Sequence, residues 1–172
     1  LYAPEDHPAV LACATMAKTH RRWLLAGSVA LKIDESGKTA NRSLLFNPEG
    51  DVTAQYDKIH LFDVEVGDGQ TYKESAKIIG GSEAVVAEMP WGKLGMTVCY
   101  DVRFPYLYRT LAEAGAEIIA VPSAFTKVTG EAHWHVLLRA RAIENGCFVI
   151  APAQTGTHPG GRQTYGHSLI VD

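Results

Sequence analysis

Apolar and polar residues follow two different periods in the first third of the chain. Between Pro8 and Arg22, apolar residues recur at helical spacing and basic residues follow them, which predicts an amphipathic helix with cations at its C-terminal end. The segments that follow are apolar runs separated by short polar turns containing Gly or Pro, a pattern typical of β-strands joined by hairpins. The strands predicted in this part are 23–32, 41–46 and 52–60.

The third of these strands carries Lys58, the first residue with candidate chemistry. Alternation along the strand gives one face a lysine among ring-bearing side chains: Tyr56, Lys58, His60 and Phe62. A lysine on an edge strand is most often solvated, because lysines are seldom fully buried. The pattern therefore leaves two interpretations of Lys58 open, an exposed surface lysine or a residue held beside aromatic rings.

The second half of the chain alternates strand-like and helix-like segments. After an aperiodic loop at 63–72, the pattern predicts strands at 84–89, 93–98, 116–125, 147–152 and 165–171, with helices at 106–115 and 130–145 and a loop at 156–162. Strand, helix and parallel strand in this order form right-handed βαβ units, and open sheets of this kind bind ligands at the carboxyl ends of their strands. The chain is therefore predicted to have an α/β fold.

Cys99 lies where strand 93–98 ends and the chain turns toward a helix. A nucleophile in that position is held rigidly at the sheet edge, with backbone N–H groups nearby to receive a developing oxyanion. The segment Ser123–Phe125 is expected in the same crevice, because it follows the neighbouring strand. An unpaired cysteine is, however, more often a small buried hydrophobic residue, so this pattern alone leaves both roles open.

Composition and charge narrow the class of protein. The 172 residues, 47% hydrophobic and 20% charged, are ordinary globular composition and favour one domain spanning 1–172. A net charge of -3 gives no reason to expect nucleic acid or an anionic membrane as partner, and no apolar run approaches the roughly 20 residues of a membrane span. Three cysteines fit no disulfide or zinc pattern, which favours a reducing, cytoplasmic location. Both ends of the sequence look like cuts into a longer chain.

Four segments together resemble one known family. They are Tyr56-Asp57-Lys58-Ile59-His60-Leu61-Phe62, Gly95-Met96-Thr97-Val98-Cys99-Tyr100-Asp101-Val102-Arg103-Phe104-Pro105, Val121-Pro122-Ser123-Ala124-Phe125 and Tyr165-Gly166-His167-Ser168. In this order and spacing they resemble the nitrilase superfamily of carbon-nitrogen hydrolases, and within it the Nit-type amidase branch. Several spaced motifs are far more specific than one. The resemblance implies a nitrilase-type four-layer α-β-β-α sandwich, of which this chain forms part.

The resemblance also implies roles for individual residues. Cys99 would supply the thiolate that attacks an amide carbonyl and forms a thioester. Lys58 would stabilise the oxyanion together with the backbone N–H of Tyr100, and its ammonium would lower the pKa of the thiol. Glu74 matches a supporting glutamate that orients the lysine, the alternative being a solvated loop carboxylate.

One member of the family's catalytic set has no counterpart in the sequence. The principal glutamate, which carries protons, lies well ahead of the lysine in the family, whereas Glu5 is interpreted as an N-terminal helix carboxylate and Glu49 as part of a hairpin turn. We therefore expect that glutamate on a missing N-terminal segment, and the 172-residue chain by itself to be inactive.

Substrate-binding residues are predicted around the same crevice. Phe125 and Thr126 are candidate pocket walls, and Arg103 would bind a substrate carboxylate or, equally, pair with Asp101. The sequence departs from the family at His135, where related sequences usually have Glu; two histidines two positions apart on a helix, His133 and His135, are poorly placed to chelate one metal. No metal or cofactor is expected.

The resemblance thus implies hydrolysis of a linear amide, of the ω-amidase or deaminated-glutathione-amidase type, to a carboxylate and ammonia through a cysteine thioester. Alternatives are a nitrilase or N-carbamoyl amino acid hydrolase, or a catalytically silent binding or assembly module. A redox-sensor cysteine is a weaker alternative. The predicted partners are a small-molecule amide and a second copy of the chain, in a homodimer or higher homo-oligomer.

Overall fold

A computed structural model of the chain describes residues 2–33, 36–65 and 71–172. Its α-helices are α1 (Pro8–His20), α2 (Pro105–Glu113) and α3 (Lys127–Asn145). Short 3-10 helices occur at Pro4–Asp6, Glu74–Ala76 and Cys99–Arg103. In these described ranges, none of the helices combines the length and the apolar character that a bilayer crossing needs.

The strands, numbered in chain order, form two larger sheets and two small hairpins. They are β1 (Leu24–Lys32), β2 (Thr39–Phe46), β3 (Val52–Asp57), β4 (Asp63–Glu65), β5 (Thr71–Lys73), β6 (Ile78–Ile79), β7 (Val85–Met89), β8 (Gly92–Met96), β9 (Ile118–Ala120), β10 (Phe148–Ala151), β11 (Thr155–Thr157), β12 (Gln163–Tyr165) and β13 (Leu169–Val171).

The first large sheet is an antiparallel meander of β1, β2 and β3, with β6 added in parallel beside β2. Alternation along β2 sends successive side chains to opposite faces: Leu44 and Phe46 contact one group of apolar residues, and Leu45 contacts another. The sheet therefore has apolar residues on both faces, which requires a covering layer on each side.

The second large sheet has the order β13-β10-β9-β8-β7. Its three central strands are parallel and are connected through α2 and α3, as the βαβ prediction requires, and β7 and β13 flank them as antiparallel strands. Gly95 allows α2 to lie close to this sheet, since a side chain there would meet Leu111, Ala116 and Ile119 at 3.2 to 3.3 Å. The carboxyl ends of three parallel strands consequently meet at one edge.

The two sheets and the helices stack in four layers. Helix α1 contacts the first sheet through Val10 and Ala17. Leu45 and Tyr56 of the first sheet contact Leu94 of the second sheet in a shared apolar layer. On the far side of the second sheet, α2 and α3 contribute the largest group of buried residues, including Trp134, Tyr108 and Leu138. The predicted α-β-β-α sandwich is thus confirmed.

The third strand is shorter than predicted, and the predicted sharing of one face by Tyr56, Lys58, His60 and Phe62 is wrong. Strand β3 ends at Asp57. The Lys58 N–H still donates to the Asn41 carbonyl of β2 at 2.9 Å, but the two amides after it bind side chains instead of a neighbouring strand. The N–H of Ile59 donates to the Tyr56 hydroxyl at 3.2 Å, and that of His60 donates to the Asp101 carboxylate at 3.1 Å. Alternation does not continue where the backbone leaves the ladder.

Other boundaries also differ from the sequence pattern. The segment predicted as a loop at 63–72 contains β4 and the start of β5, and its central residues 66–70 lie outside the described part of the chain. Helix α3 begins three residues before the predicted 130. The strand predicted at 116–125 is confined to β9, and that predicted at 165–171 to the end of β12 and to β13. The predicted loop at 156–162 contains part of β11.

Candidate active site

Cys99 lies at the carboxyl end of β8, on the first residue of the 3-10 helix Cys99–Arg103. Its φ of 50° is in the left-handed region, which is uncommon for a residue with a side chain and is typical of functional turns. The Cys99 N–H donates to the Pro122 carbonyl at 3.0 Å, which links the turn to the chain that follows β9. The half-buried thiol borders a cavity of about 770 Å³.

Asp101 connects the cysteine turn to the segment that carries Lys58. Its fully buried carboxylate accepts hydrogen bonds from the Tyr56 hydroxyl and the Val98 N–H, both at 2.8 Å. Its other oxygen accepts from the His60 N–H at 3.1 Å and lies 2.7 Å from His60 Nδ1. Since Tyr56 and His60 flank Lys58 in the chain, this network fixes the lysine segment relative to Cys99.

Lys58 is buried, with 3% of its surface exposed, so the interpretation as a solvated edge lysine is wrong. Its Nζ lies 2.5 Å from Glu74 Oε2. The same carboxylate oxygen accepts the Phe62 N–H at 2.7 Å, and Oε1 accepts the Asn41 side-chain amide at 3.0 Å. Glu74 therefore holds the lysine in place and is not a solvated loop carboxylate.

The pKa of the Glu74 carboxyl is lowered below its ordinary value. Burial by itself would raise that pKa, but the charge and hydrogen bond of Lys58 outweigh it, with help from the Phe62 N–H and the Asn41 amide. Because the folded pKa is depressed, this carboxylate contributes stability that is complete above its unfolded pKa of about 4.3 and is lost as pH falls through the folded value.

Glu74→Gln is therefore expected to destabilise the fold at pH 7 by about 3 kcal/mol, since it leaves the buried Lys58 without its counter-charge. The deficit should persist down to about pH 4.5 and shrink below it. Urea unfolding of both proteins from pH 7 to pH 3 measures this difference, with Glu83→Gln, at an exposed carboxylate, as the matched control. A deficit that stays constant between pH 5 and pH 3 would contradict the ion pair.

The cavity brings together most of the residues that the sequence predicted. Cys99, Lys58, Glu74 and three predicted substrate-binding residues, Tyr100, Phe125 and Thr126, all line it. Phe125 is buried against Trp134, with ring centroids 5.1 Å apart, so it forms a rigid wall. Within the described part of the chain, the N–H of Tyr100 donates to no backbone acceptor. This N–H remains available beside the thiol.

Arg103 is the predicted site residue that the structure does not bring to the cavity wall. Its guanidinium lies 5.3 Å from the centre of the Phe125 ring and 3.2 Å from His133 Nδ1. The alternative of a pair with Asp101 is wrong, because the Asp101 carboxylate is occupied by Tyr56, Val98 and His60. Arg103 thus packs against the outer side of the pocket wall that Phe125 forms.

The cavity also has polar residues that the sequence analysis does not predict, among them Asn41 and Arg162. Asn41 was assigned only to a strand, although a polar residue on a largely buried strand is a signal of a hydrogen-bonded site. Arg162 was assigned to a loop, and its only signal was a cation in a Gly-rich turn near the Tyr165-Gly166-His167-Ser168 motif.

Outside the cavity, the titratable residues that the structure describes form no second centre. No group of three or more His, Cys, Asp or Glu side chains suited to a metal occurs among the residues that the structure describes. His135 contacts the rings of Tyr165 and His167. The other two thiols, Cys13 and Cys147, are free, pack among apolar residues and have pKa values raised by burial. All three cysteines of the sequence are unpaired.

Comparison with known proteins identifies relatives over almost the whole chain. The family model for carbon-nitrogen hydrolase matches residues 2–172. The deaminated glutathione amidase of Yersinia enterocolitica is 50% identical over 169 residues, which cover 97% of this chain and 59% of that protein. The chain therefore spans about three fifths of the length of this curated relative.

Solved structures agree with the sequence comparison. The crystal structure of the Caenorhabditis elegans NitFhit protein superposes with a TM-score of 0.89 at 43% identity, covering 97% of this chain and 41% of that one. Saccharomyces cerevisiae Nit3, described as a member of branch 10 of the nitrilase superfamily, superposes with a TM-score of 0.85 at 31% identity, covering 97% and 59%. The likeness extends over the same sandwich that holds the cavity.

Proposed function

Because the chain belongs to the carbon-nitrogen hydrolase family, we propose that its cavity hydrolyses a linear amide to a carboxylate and ammonia, with Cys99 as the nucleophile. The observation that carries the proposal is that the Cys99 thiol and the buried Lys58–Glu74 pair line one cavity at the carboxyl ends of parallel strands. The relative from Yersinia enterocolitica, named a deaminated glutathione amidase, supports the same reaction class.

The proposed reaction has two steps. The Cys99 thiolate attacks the amide carbonyl carbon, and collapse of the tetrahedral intermediate breaks the C–N bond, leaving a thioester and releasing ammonia as the nitrogen takes up a proton. Water then attacks the thioester, giving the carboxylic acid and restoring the thiol. Lys58 and the Tyr100 N–H stabilise the oxyanion in both steps. Phe125 and Thr126 enclose the acyl chain.

Glu74 serves in this proposal to position Lys58 rather than to carry protons. Its two oxygens already accept hydrogen bonds from Lys58, Phe62 and Asn41, and its lowered pKa keeps it ionised at neutral pH. A carboxylate so occupied is a poor proton donor to a departing amine. The family resemblance assigns proton transfer to a different glutamate, which lies outside the four segments that carry the resemblance.

Ammonia release from a panel of amides tests the function, with matched nitriles and N-carbamoyl amino acids for the alternative reactions. The assay is run on protein expressed from its complete reading frame, since the chain spans 59% of its Yersinia relative. We expect turnover of linear amides at least about tenfold above that of the nitriles, because one pocket contact discriminates by roughly this factor. Turnover of nitriles alone, or of nothing, would contradict the amidase proposal.

We also propose that the chain is a single domain that acts in the cytoplasm as a homo-oligomer. Three unpaired thiols are consistent with a reducing compartment. Exposed apolar side chains on the outer helices, Tyr106, Val136 and Ile143, offer a surface for a second copy. Sedimentation of the protein as a monomer at micromolar concentration would contradict the oligomer.

A further inference from the structure

The described wall of the cavity is rich in positive charge. It includes four cationic side chains, Lys58, Lys73, Lys77 and Arg162, and a single carboxylate, that of Glu74. Glu74 is engaged by Lys58, so the other three cations are not balanced by a described carboxylate on this wall. A concave site lined by one sign of charge attracts ligands of the opposite sign. The cavity is therefore suited to an amide that also carries an anionic group.

Of the three cations other than Lys58, Arg162 is the one whose position is defined by the fold. It directly precedes β12 in the β11–β12 hairpin, after a turn in which Gly160 and Gly161 have φ values of 85° and 82°. Its carbonyl accepts the His158 N–H at 2.8 Å, which closes the turn. Positive φ at both glycines directs the chain back over the cavity, a conformation that other residues rarely adopt. Lys73 and Lys77, in contrast, are exposed at the cavity mouth.

The guanidinium of Arg162 is partly engaged and partly available. One terminal nitrogen donates to the Ala124 carbonyl, and the group lies 5.8 Å from the centre of the Tyr72 ring. Its Nε is buried without a hydrogen-bond partner. A buried donor left unpaired is costly, and a guanidinium held on one side presents its remaining N–H groups in a fixed fork that matches a carboxylate.

We propose that Arg162 determines substrate specificity by binding a carboxylate on the acyl or amine portion of the amide. The inference rests on the proposed function, since it concerns the same cavity, and it transfers to Arg162 the role that the sequence suggested for Arg103. The arginine acts through binding and not through the reaction at the carbonyl, so its loss weakens carboxylate-bearing ligands and spares uncharged ones.

Protection of Cys99 from iodoacetamide tests this role without requiring turnover. The probes are glutaramate, which carries a carboxylate, and pentanamide, its uncharged analogue, and initial alkylation of the Cys99 peptide is followed by mass spectrometry. Arg162→Gln is expected to raise the half-protecting glutaramate concentration about tenfold or more, with pentanamide unchanged within about twofold. Arg162→Lys, which keeps the charge and loses the fork, should lie between the two.

Arg139→Gln is the matched control, because it removes one arginine charge from the exposed surface of α3, away from the cavity. It is expected to leave the half-protecting concentrations of glutaramate and pentanamide unchanged. If Arg162→Gln raises the half-protecting concentrations of both probes equally, the role of Arg162 is structural and the proposal is overturned. Unchanged protection by glutaramate would also overturn the proposal. Should no amide be turned over while glutaramate protection still depends on Arg162, the proposed function and the role in substrate specificity fail, and only the carboxylate contact of Arg162 is supported.

Discussion

Replacement of Cys99 by Ala is expected to lower amide turnover by at least about 10⁴-fold, because it removes the atom that we propose forms the covalent intermediate. The other residues of the cavity cannot substitute for it, since an oxyanion site without a nucleophile retains only a small residual rate. The change should have little effect on folding, as the thiol is half-buried and faces the cavity. Steady-state kinetics on protein from the complete reading frame, with thermal unfolding alongside, make the measurement.

Cys13→Ala is the control for this experiment, because it removes a thiol from α1 that does not line the cavity. Its turnover should match that of the unchanged protein. Cys99→Ser separates the effect of nucleophilicity from that of side-chain shape, since serine has a similar size but a far weaker nucleophile. This variant should be nearly as inactive as the alanine variant. If Cys99→Ala retains more than a small fraction of activity, the thiol is not the nucleophile.

The second large effect is expected from Lys58→Met. This change removes the cation that we propose stabilises the oxyanion, and it leaves Glu74, whose side chain is 17% exposed, without its partner at 2.5 Å. We expect kcat to fall by about 10²- to 10³-fold and the free energy of unfolding to fall by about 3 to 5 kcal/mol. Kinetics and urea unfolding on the same preparation separate the two losses.

A surface lysine gives the matched comparison. Lys93→Met removes an ammonium that lies 3.6 Å from Glu88, in a pair whose side chains are 46% and 82% exposed. Such a pair contributes about 0 to 1 kcal/mol, and the residue lies away from the cavity. The account of Lys58 fails if both variants lose similar stability, or if Lys58→Met keeps its kcat.

The placement of Cys99 could be predicted from the sequence because it depends on local order. A buried strand, an abrupt turn and a helix put the residue at the carboxyl end of a parallel strand whatever the remaining packing, and β8, β9 and α2 show this arrangement. The position of Cys99 and the βαβ units thus rest on period and connection rules alone. The four-layer sandwich, in contrast, was implied only by the family resemblance.

Lys58 shows where the sequence pattern stopped being informative. Alternation places it on a strand face, whereas the strand ends one residue earlier, and the Tyr56 hydroxyl and the Asp101 carboxylate accept the amides of Ile59 and His60. Asp101 is distant in sequence, so no local period reports this contact. Pairing of Lys58 with Glu74 came from family resemblance and not from spacing.

Arg162 could not be placed from the sequence at all. A cation in a Gly-rich loop is usually solvated, and its position over the cavity depends on how the β11–β12 hairpin lies against the residues after β9. That arrangement follows from tertiary packing, which one sequence does not specify. Arg103, by contrast, follows Cys99 by only four residues in sequence, yet it lies behind the Phe125 wall.

The most direct test of the central claim is the mass of the protein during turnover. Rapid acid quenching of the protein with a linear amide in excess, followed by intact-mass and peptide analysis, should reveal one added acyl group located on Cys99 and absent from Cys99→Ala. The acyl group should disappear as the amide is consumed and the free carboxylate accumulates. Turnover with ammonia release in which Cys99 stays unmodified at every quench time, and in which Cys99→Ala is equally active, would contradict the account.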